Sequence, residues 1–260
     1  MGYSKLINKM TFSFSRLHLY ETCPYAFYLK YIQGEEGLQN FYSENGSVMH
    51  SIFERLLKGK IKLENAPNIY LEEFDSIFNT TKQSIMDNTF EKCMDYLCSV
   101  DEIDKNKYEI LLVEEEMNFK IGKYSFKGYA DCVLKNKQSN QIILIDHKSS
   151  NHLFKKDGTP LKNMADYFYA YQKQMYIYCK AIKDIYRIHV DLIAWHHFKD
   201  NGRISVIPFN KEDYEATLKW AVDLIQKIKK DQRFQARKSY MMDKELCDYR
   251  EVCEYLEMEE

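Results

Sequence analysis

The chain has 260 residues and a formal net charge of −2, with 37 basic against 39 acidic side chains. It is therefore not coated in positive charge, and any nucleic-acid contact must gather its cations on one face or in one groove. With 45% hydrophobic and 29% charged residues, nine glycines and four prolines, the composition excludes a disordered, collagen-like or linker-dominated chain and fits a protein with a large core.

Seven scattered cysteines, residues 1–10 without an apolar leader, and no run of eighteen apolar residues predict a reduced, cytoplasmic protein with no membrane span. Its wealth of Lys, Asn, Ile and Tyr points to an AT-rich genome, hence a bacterial cell or a phage-infected host. Residues 11–33 read as a helix capped by Ser13 or Ser15 and kinked at Cys23-Pro24. Residues 46–59 form a second helix with His50 in its first turn, and 70–100 a helical stretch without chemical signature, in which Cys93 and Cys98 are ordinary half-buried positions. After Tyr108 the period shortens. Residues 110–113, 117–121, 124–134 and 141–148 read as strands, with turns at Gly122-Lys123 and 136–140. Residues 164–185 form a long aromatic helix, 190–198 and 203–208 a hairpin around Asp200-Asn201-Gly202, and 211–230 an amphipathic helix capped by Asn210. The order is α+β, most simply one domain over 1–260, with a helical elaboration at about 47–105 and a cysteine-containing tail at about 239–260.

The most informative segment is Gly128-Tyr129-Ala130-Asp131 followed by Ile142-Ile143-Leu144-Ile145-Asp146-His147-Lys148. Four consecutive aliphatic residues predict a strand buried on both faces, yet it runs straight into charge. Asp146 and Lys148 share one face and His147 points to the other. Charges at the rim of a buried strand are costly unless paired or bound to something. Asp131 comes alongside if 136–140 is a hairpin turn, and two carboxylates brought together repel unless a divalent cation sits between them. Gln174 and Tyr178, four apart on the aromatic helix, face the same way.

Taken in order, the four signatures G-x-x-x-H (Gly46 to His50), G-x-x-D (Gly128 to Asp131), D-x-K (Asp146 to Lys148) and Q-x-x-x-Y (Gln174 to Tyr178) resemble the RecB-type branch of the PD-(D/E)XK nuclease superfamily. The opening Phe12-Ser13-Phe14-Ser15-Arg16-Leu17, with Tyr20, Cys23-Pro24, Phe27 and Tyr31, is similar to that branch's first helix. The branch includes nuclease domains of recombination complexes and CRISPR-associated spacer-acquisition nucleases. The resemblance implies a restriction-endonuclease-like central mixed sheet flanked by helices, and a metal-dependent DNA nuclease. It would be an exonuclease or a single-strand or flap cutter, working in recombination, repair, phage replication or spacer acquisition. Its substrate would be DNA that is single-stranded or has free ends, and a recombination or CRISPR-adaptation protein would be its partner. A non-catalytic, DNA-binding or regulatory member of the same fold is the alternative, and the presence of Asp131, Asp146, Lys148 and His50 together favours the enzyme.

The resemblance also implies roles. His50, Asp131, Asp146 and the backbone carbonyl of His147 would hold Mg²⁺ or Mn²⁺. Lys148 would serve the transition state, Gln174 would orient the metal site or contact the substrate, and Tyr178 would support it or reach a phosphate. Glu115 is a further candidate carboxylate, with Glu114 and Glu116 as equal alternatives. Many members carry an iron–sulfur cluster on one N-terminal cysteine and a C-terminal C-x-x-C-x(5)-C group. Here Cys23, Cys247 and Cys253 match, but Lys244 stands three before Cys247, so three of four ligands are present and the expectation is that the cluster has been lost, with a three-cysteine cluster or a zinc site completed by another residue as the alternative. For DNA, Lys155, Lys156 and Lys162 form a basic loop just after the D-x-K strand. Residues 219–238 hold seven basic residues against Asp223 and Asp231. Tyr167, Phe168, Tyr169, Tyr171 and Tyr176 offer either core packing or stacking surfaces for bases.

Overall fold

The computed structural model describes residues 3–38, 40–77, 82–155, 159–237 and 247–255. Its helices are α1 (Ser4–Lys9), α2 (Phe14–Thr22), α3 (Pro24–Tyr28), α4 (Phe41–Leu57), α5 (Ala66–Phe74), α6 (Gln83–Ser99), α7 (Ala165–Tyr186) and α8 (Lys211–Lys230). The strands are β1 (Tyr108–Ile121), β2 (Tyr124–Asn136), β3 (Ile142–Lys148), β4 (Leu192–His197) and β5 (Arg203–Pro208). They form one mixed sheet in the order β1-β2-β3-β4-β5, parallel only between β3 and β4, as the expected α+β class with a central mixed sheet flanked by helices requires.

The local signals explain most boundaries. Ser13 caps α2 by accepting from the Arg16 amide, Pro24 opens α3 after the break at Cys23, and Asn210 caps α8 through the Asp213 amide. Three expectations needed correction. Helix α4 begins at Phe41 rather than Gly46, because Asn40 accepts from the amides of Tyr42 and Ser43; His50 thus lies in the third turn, not the first. The stretch 70–100 holds two helices, α5 and α6, with Cys93 fully buried and Cys98 exposed. The two short strands expected before the Gly122 turn are one, β1, whose pairing with β2 slips at Leu111 and whose Glu114 takes a left-handed φ of 47°.

Two apolar clusters sandwich the sheet. The larger one joins α2, α7 and α8 to β1–β4 through Leu17, Phe126, Leu144, Met175, Tyr176 and Ile225. The second lies under α4–α6, where Met49, Ile52 and Phe53 meet Tyr70, Cys93, Tyr96 and Phe198. Each helix group buries one apolar face, so β3 is covered on both sides. No helix among the described residues is long and apolar enough to cross a membrane.

The glycine of G-x-x-D has a steric reason. A Cβ on Gly128 would lie 2.8 Å from Cε1 of Tyr178, inside the aromatic ring's contact distance. β2 therefore lets α7 approach only because position 128 has no side chain. Gly128→Ala should lower stability by about 1–3 kcal/mol, as overpacking of a stiff core does. In a Tyr178→Ala background the same glycine substitution should cost much less than in the wild type, a coupling that urea denaturation of both single variants and the double variant would measure.

Candidate active site

The site is built where β2 and β3 part. Their ladder runs from Lys135–Ile142 to Cys132–Ile145 and stops. The next residues on the two strands are Asp131 and Asp146, facing each other across the opening fork. β3 continues to pair with β4 through Asp146, His147 and Lys148, so it does not fray. The amide of His147, which has lost its β2 partner, donates instead to Asp131 Oδ2 at 2.7 Å. The edge of β2 beyond the fork is taken by Phe12, bonded to Ser125 and Lys127.

His50 reaches this fork from α4. Its Nδ1 lies 3.4 Å from Asp131 Oδ2 and 3.5 Å from Glu114 Oε1, and its Nε2 lies 3.1 Å from the His147 carbonyl oxygen. One ligand atom each from His50, Glu114 and Asp131 falls within 4.8 Å of the others. The pairings on either side place Glu114 opposite Asp131, whereas Glu115 pairs with Ala130 and faces solvent. Glu116 is engaged with Lys127 and Tyr129. The acidic neighbour of His50 is thus Glu114 and not Glu115, because strand alternation turns the two to opposite faces.

The electrostatics show a shortage of positive charge. Burial and the facing Asp146 push the Asp131 carboxyl up to about 7, against the pull of His50 and the His147 amide. Burial alone would strip the His50 proton, but the hydrogen bond to Glu114 and the charges of Asp131 and Asp146 override it and raise His50 to about 9. Asp131 and His50 both hold a proton more tightly than an ordinary carboxyl or imidazole does. Two carboxylates and one imidazole converge here, a hard donor set with room for waters that fits a divalent cation such as Mg²⁺ or Mn²⁺. His50 turns Nδ1 to the carboxylates and Nε2 to the His147 carbonyl, so these donors meet different ring nitrogens. Asp146 is outside the compact triple.

Asp146 turns to Lys148, whose Nζ lies 2.6 Å from Oδ2. The contact is an ion pair off the hydrogen-bond direction, and the buried Oδ2 has no hydrogen bond. Burial works against the Lys148 charge, but Asp146 overrides it and holds the ammonium form above the usual lysine range. Nζ also donates to Gln174 Oε1 at 2.9 Å, Gln174 Nε2 donates to the Tyr178 hydroxyl at 3.0 Å, and the ammonium lies 4.4 Å from the Tyr171 ring centroid. The D-x-K and Q-x-x-x-Y signatures are therefore one hydrogen-bonded unit.

On the opposite face of β3, His147 packs against Phe53 at 4.5 Å, and its Nδ1 meets His196 Nδ1 at 2.7 Å. Burial lowers both imidazoles, His196 to about 4, so they form a neutral pair sharing one proton. His196 was not singled out in sequence; the parallel register of β3 and β4 is what brings it there. The ring of Tyr171 beneath Lys148 was likewise legible only as core or stacking surface.

Of the basic loop, Lys155 and Lys162 are exposed, and Lys156 lies outside the described residues. Cys23, Cys247 and Cys253 pack into one cluster with Tyr25 and Tyr249, and no disulfide joins them; Lys244 lies outside the described residues. Among the described residues, no group of three that includes a cysteine brings its ligand atoms as close together as His50, Glu114 and Asp131 do.

Comparison with known proteins bears on the fold and the family. A crystal structure of a candidate exonuclease from Eubacterium rectale superimposes with a TM-score of 0.58 at 16% identity, covering 99% of this chain and 91% of that one, which shows a shared fold. No curated protein matches the sequence. The profile of the PD-(D/E)XK nuclease superfamily matches residues 11–254, a span that includes all four signatures, and the chain belongs to that superfamily.

Proposed function

We propose that this protein is a divalent-metal-dependent deoxyribonuclease of the RecB-type branch, a single nuclease domain that hydrolyses phosphodiester bonds in DNA with single-stranded or free ends. The observation that carries the reading is the fork between β2 and β3. It gathers Asp131, Glu114 and His50, with Asp146 across the fork and the buried ammonium of Lys148 paired to it.

His50, Asp131, Glu114 and Asp146 would hold the cation, with the His147 carbonyl as a further oxygen donor. When bound, such an ion lowers the pKa of a coordinated water and takes up charge on phosphate oxygens. Lys148, aimed by Asp146 and Gln174, supplies a fixed positive charge where the pentavalent phosphate gains negative charge. Tyr178 holds Gln174, and Gln174 holds Lys148, so both act as positioning residues in this reading. The exposed Lys155 and Lys162 supply phosphate contacts at the approach.

Labelled single- and double-stranded DNA incubated with Mg²⁺, Mn²⁺ or EDTA tests the whole reading. Cleavage is expected with either metal and none with EDTA; cleavage that persists in EDTA, or none with either metal, overturns it. Lys148→Ala, assayed with Mn²⁺ present so that Asp146 is not left an unpaired charge, should keep metal binding and lose cleavage by about 100- to 1,000-fold. Calorimetric titration with Mn²⁺ separates the acidic neighbours: Glu114→Gln should weaken binding by about 10- to 100-fold, while Glu115→Gln should match wild type.

A further inference from the structure

The Gln174–Tyr178 pair does not end at the metal site. Counting back along α7 at helical spacing, Tyr178, Gln174, Tyr171 and Tyr167 form one stripe. Its inner end is sealed, since Tyr178 is buried. Its middle member, Tyr171, carries the Lys148 ammonium over its ring at 4.4 Å. Its outer member, Tyr167, lies with its ring centroid 6.2 Å from that of Tyr171, yet keeps 54% of its surface exposed. The Tyr167 ring is therefore no farther from Lys148 Nζ than those two spans laid end to end. An aromatic so exposed, on the first helical turn after the Lys162 segment, contributes little burial to the fold. Large exposed aromatics beside a charged site are better accounted for by a ligand than by the core.

We propose that Tyr167 is a stacking platform for an unpaired base close to the scissile phosphate, and that it makes the enzyme select single-stranded DNA at the site. This rests on the nuclease reading above and adds the strand preference to it. The chemistry is general. A base presents a π-face only when it is out of the duplex stack, and an exposed tyrosine can take it without reading its identity. Lys148, held over Tyr171 on the inner side, faces the phosphate, while the outer ring faces the base. A duplex end, whose bases remain stacked on each other, cannot offer the same face without first paying the cost of unstacking.

The test uses binding, separate from cleavage. Asp146→Asn protein is titrated with a fluorescent single-stranded oligonucleotide, with a blunt duplex of the same length, and with single strands carrying one abasic site at successive positions from the end. Tyr167→Ala in that background should weaken single-strand binding by about 5- to 150-fold. Tyr167→Phe should retain the affinity, and blunt-duplex binding should change little. At one abasic position the effect of Tyr167→Ala should vanish, because the base that stacks on the ring is already gone. If Tyr167→Ala weakens single strand and duplex equally, or if no abasic position removes its effect, the platform is refuted whatever the cleavage assay shows. A protein that binds as expected but never cuts with Mg²⁺ or Mn²⁺ would overturn the nuclease reading and leave the platform standing. The exposed Tyr169, 56% accessible and packed against Phe168 rather than Tyr171, serves as the control: Tyr169→Ala should leave single-strand affinity unchanged.

Discussion

The structure depends on a ladder that stops one residue early. If β2 and β3 stayed paired through Asp131 and Asp146, two carboxylates would be pressed together inside a covered sheet, and repulsion with desolvation would oppose folding. Because the ladder ends at Cys132 and Ile145, the strands diverge and the space between them is filled by groups that answer the charge. The His147 amide answers Asp131, Lys148 answers Asp146, and His50 answers Asp131 and Glu114. Even so, the site holds protons above their ordinary range on Asp131 and His50. Under the proposed function a divalent ion would take the place of those protons.

That fork is held open by two helices gripping β3 from opposite sides. On one face α7 presents Gln174 to Lys148, at a depth set by Gly128 beneath Tyr178. On the other face α4 applies Phe53 to the His147 ring and His50 to the His147 carbonyl. Residues 50 and 53 are neighbours on one helix surface, so the packing of Phe53 also sets the reach of His50. The neutral His147–His196 pair fills the gap with polar atoms that carry no charge, which keeps this side from competing for the carboxylates. Core packing and site geometry are therefore one set of contacts.

Much of this was legible in the sequence because it is written in strand alternation and helical spacing. The partition of Asp146 and Lys148 from His147 follows from a two-residue period, and the Gln174–Tyr178 contact from a four-residue one. Three features were not legible. Asn40, which caps α4, lies six residues before Gly46, where the helical pattern becomes readable, so spacing alone puts His50 in the first turn. The choice among Glu114, Glu115 and Glu116 depends on the register of β1 against β2, and the slip at Leu111 cannot be counted from one strand alone. His196 comes to His147 through a parallel pairing separated by the whole of α7, a contact that no local pattern encodes.

The two motif glycines make the same point from opposite directions. Gly128 is glycine because the fold demands it, since any side chain there meets the ring of Tyr178. Gly46 sits inside α4 with ordinary helical φ, and a Cβ on it would meet nothing within 4 Å. In a helix interior it costs about 0.5–1 kcal/mol relative to alanine, and no packing in this structure offsets that. It lies one turn before His50 on the same helix surface, so it leaves bare backbone beside the imidazole that faces the fork. No side chain of the described residues closes over that backbone. One glycine lets two protein elements meet, and the other keeps a place where protein does not.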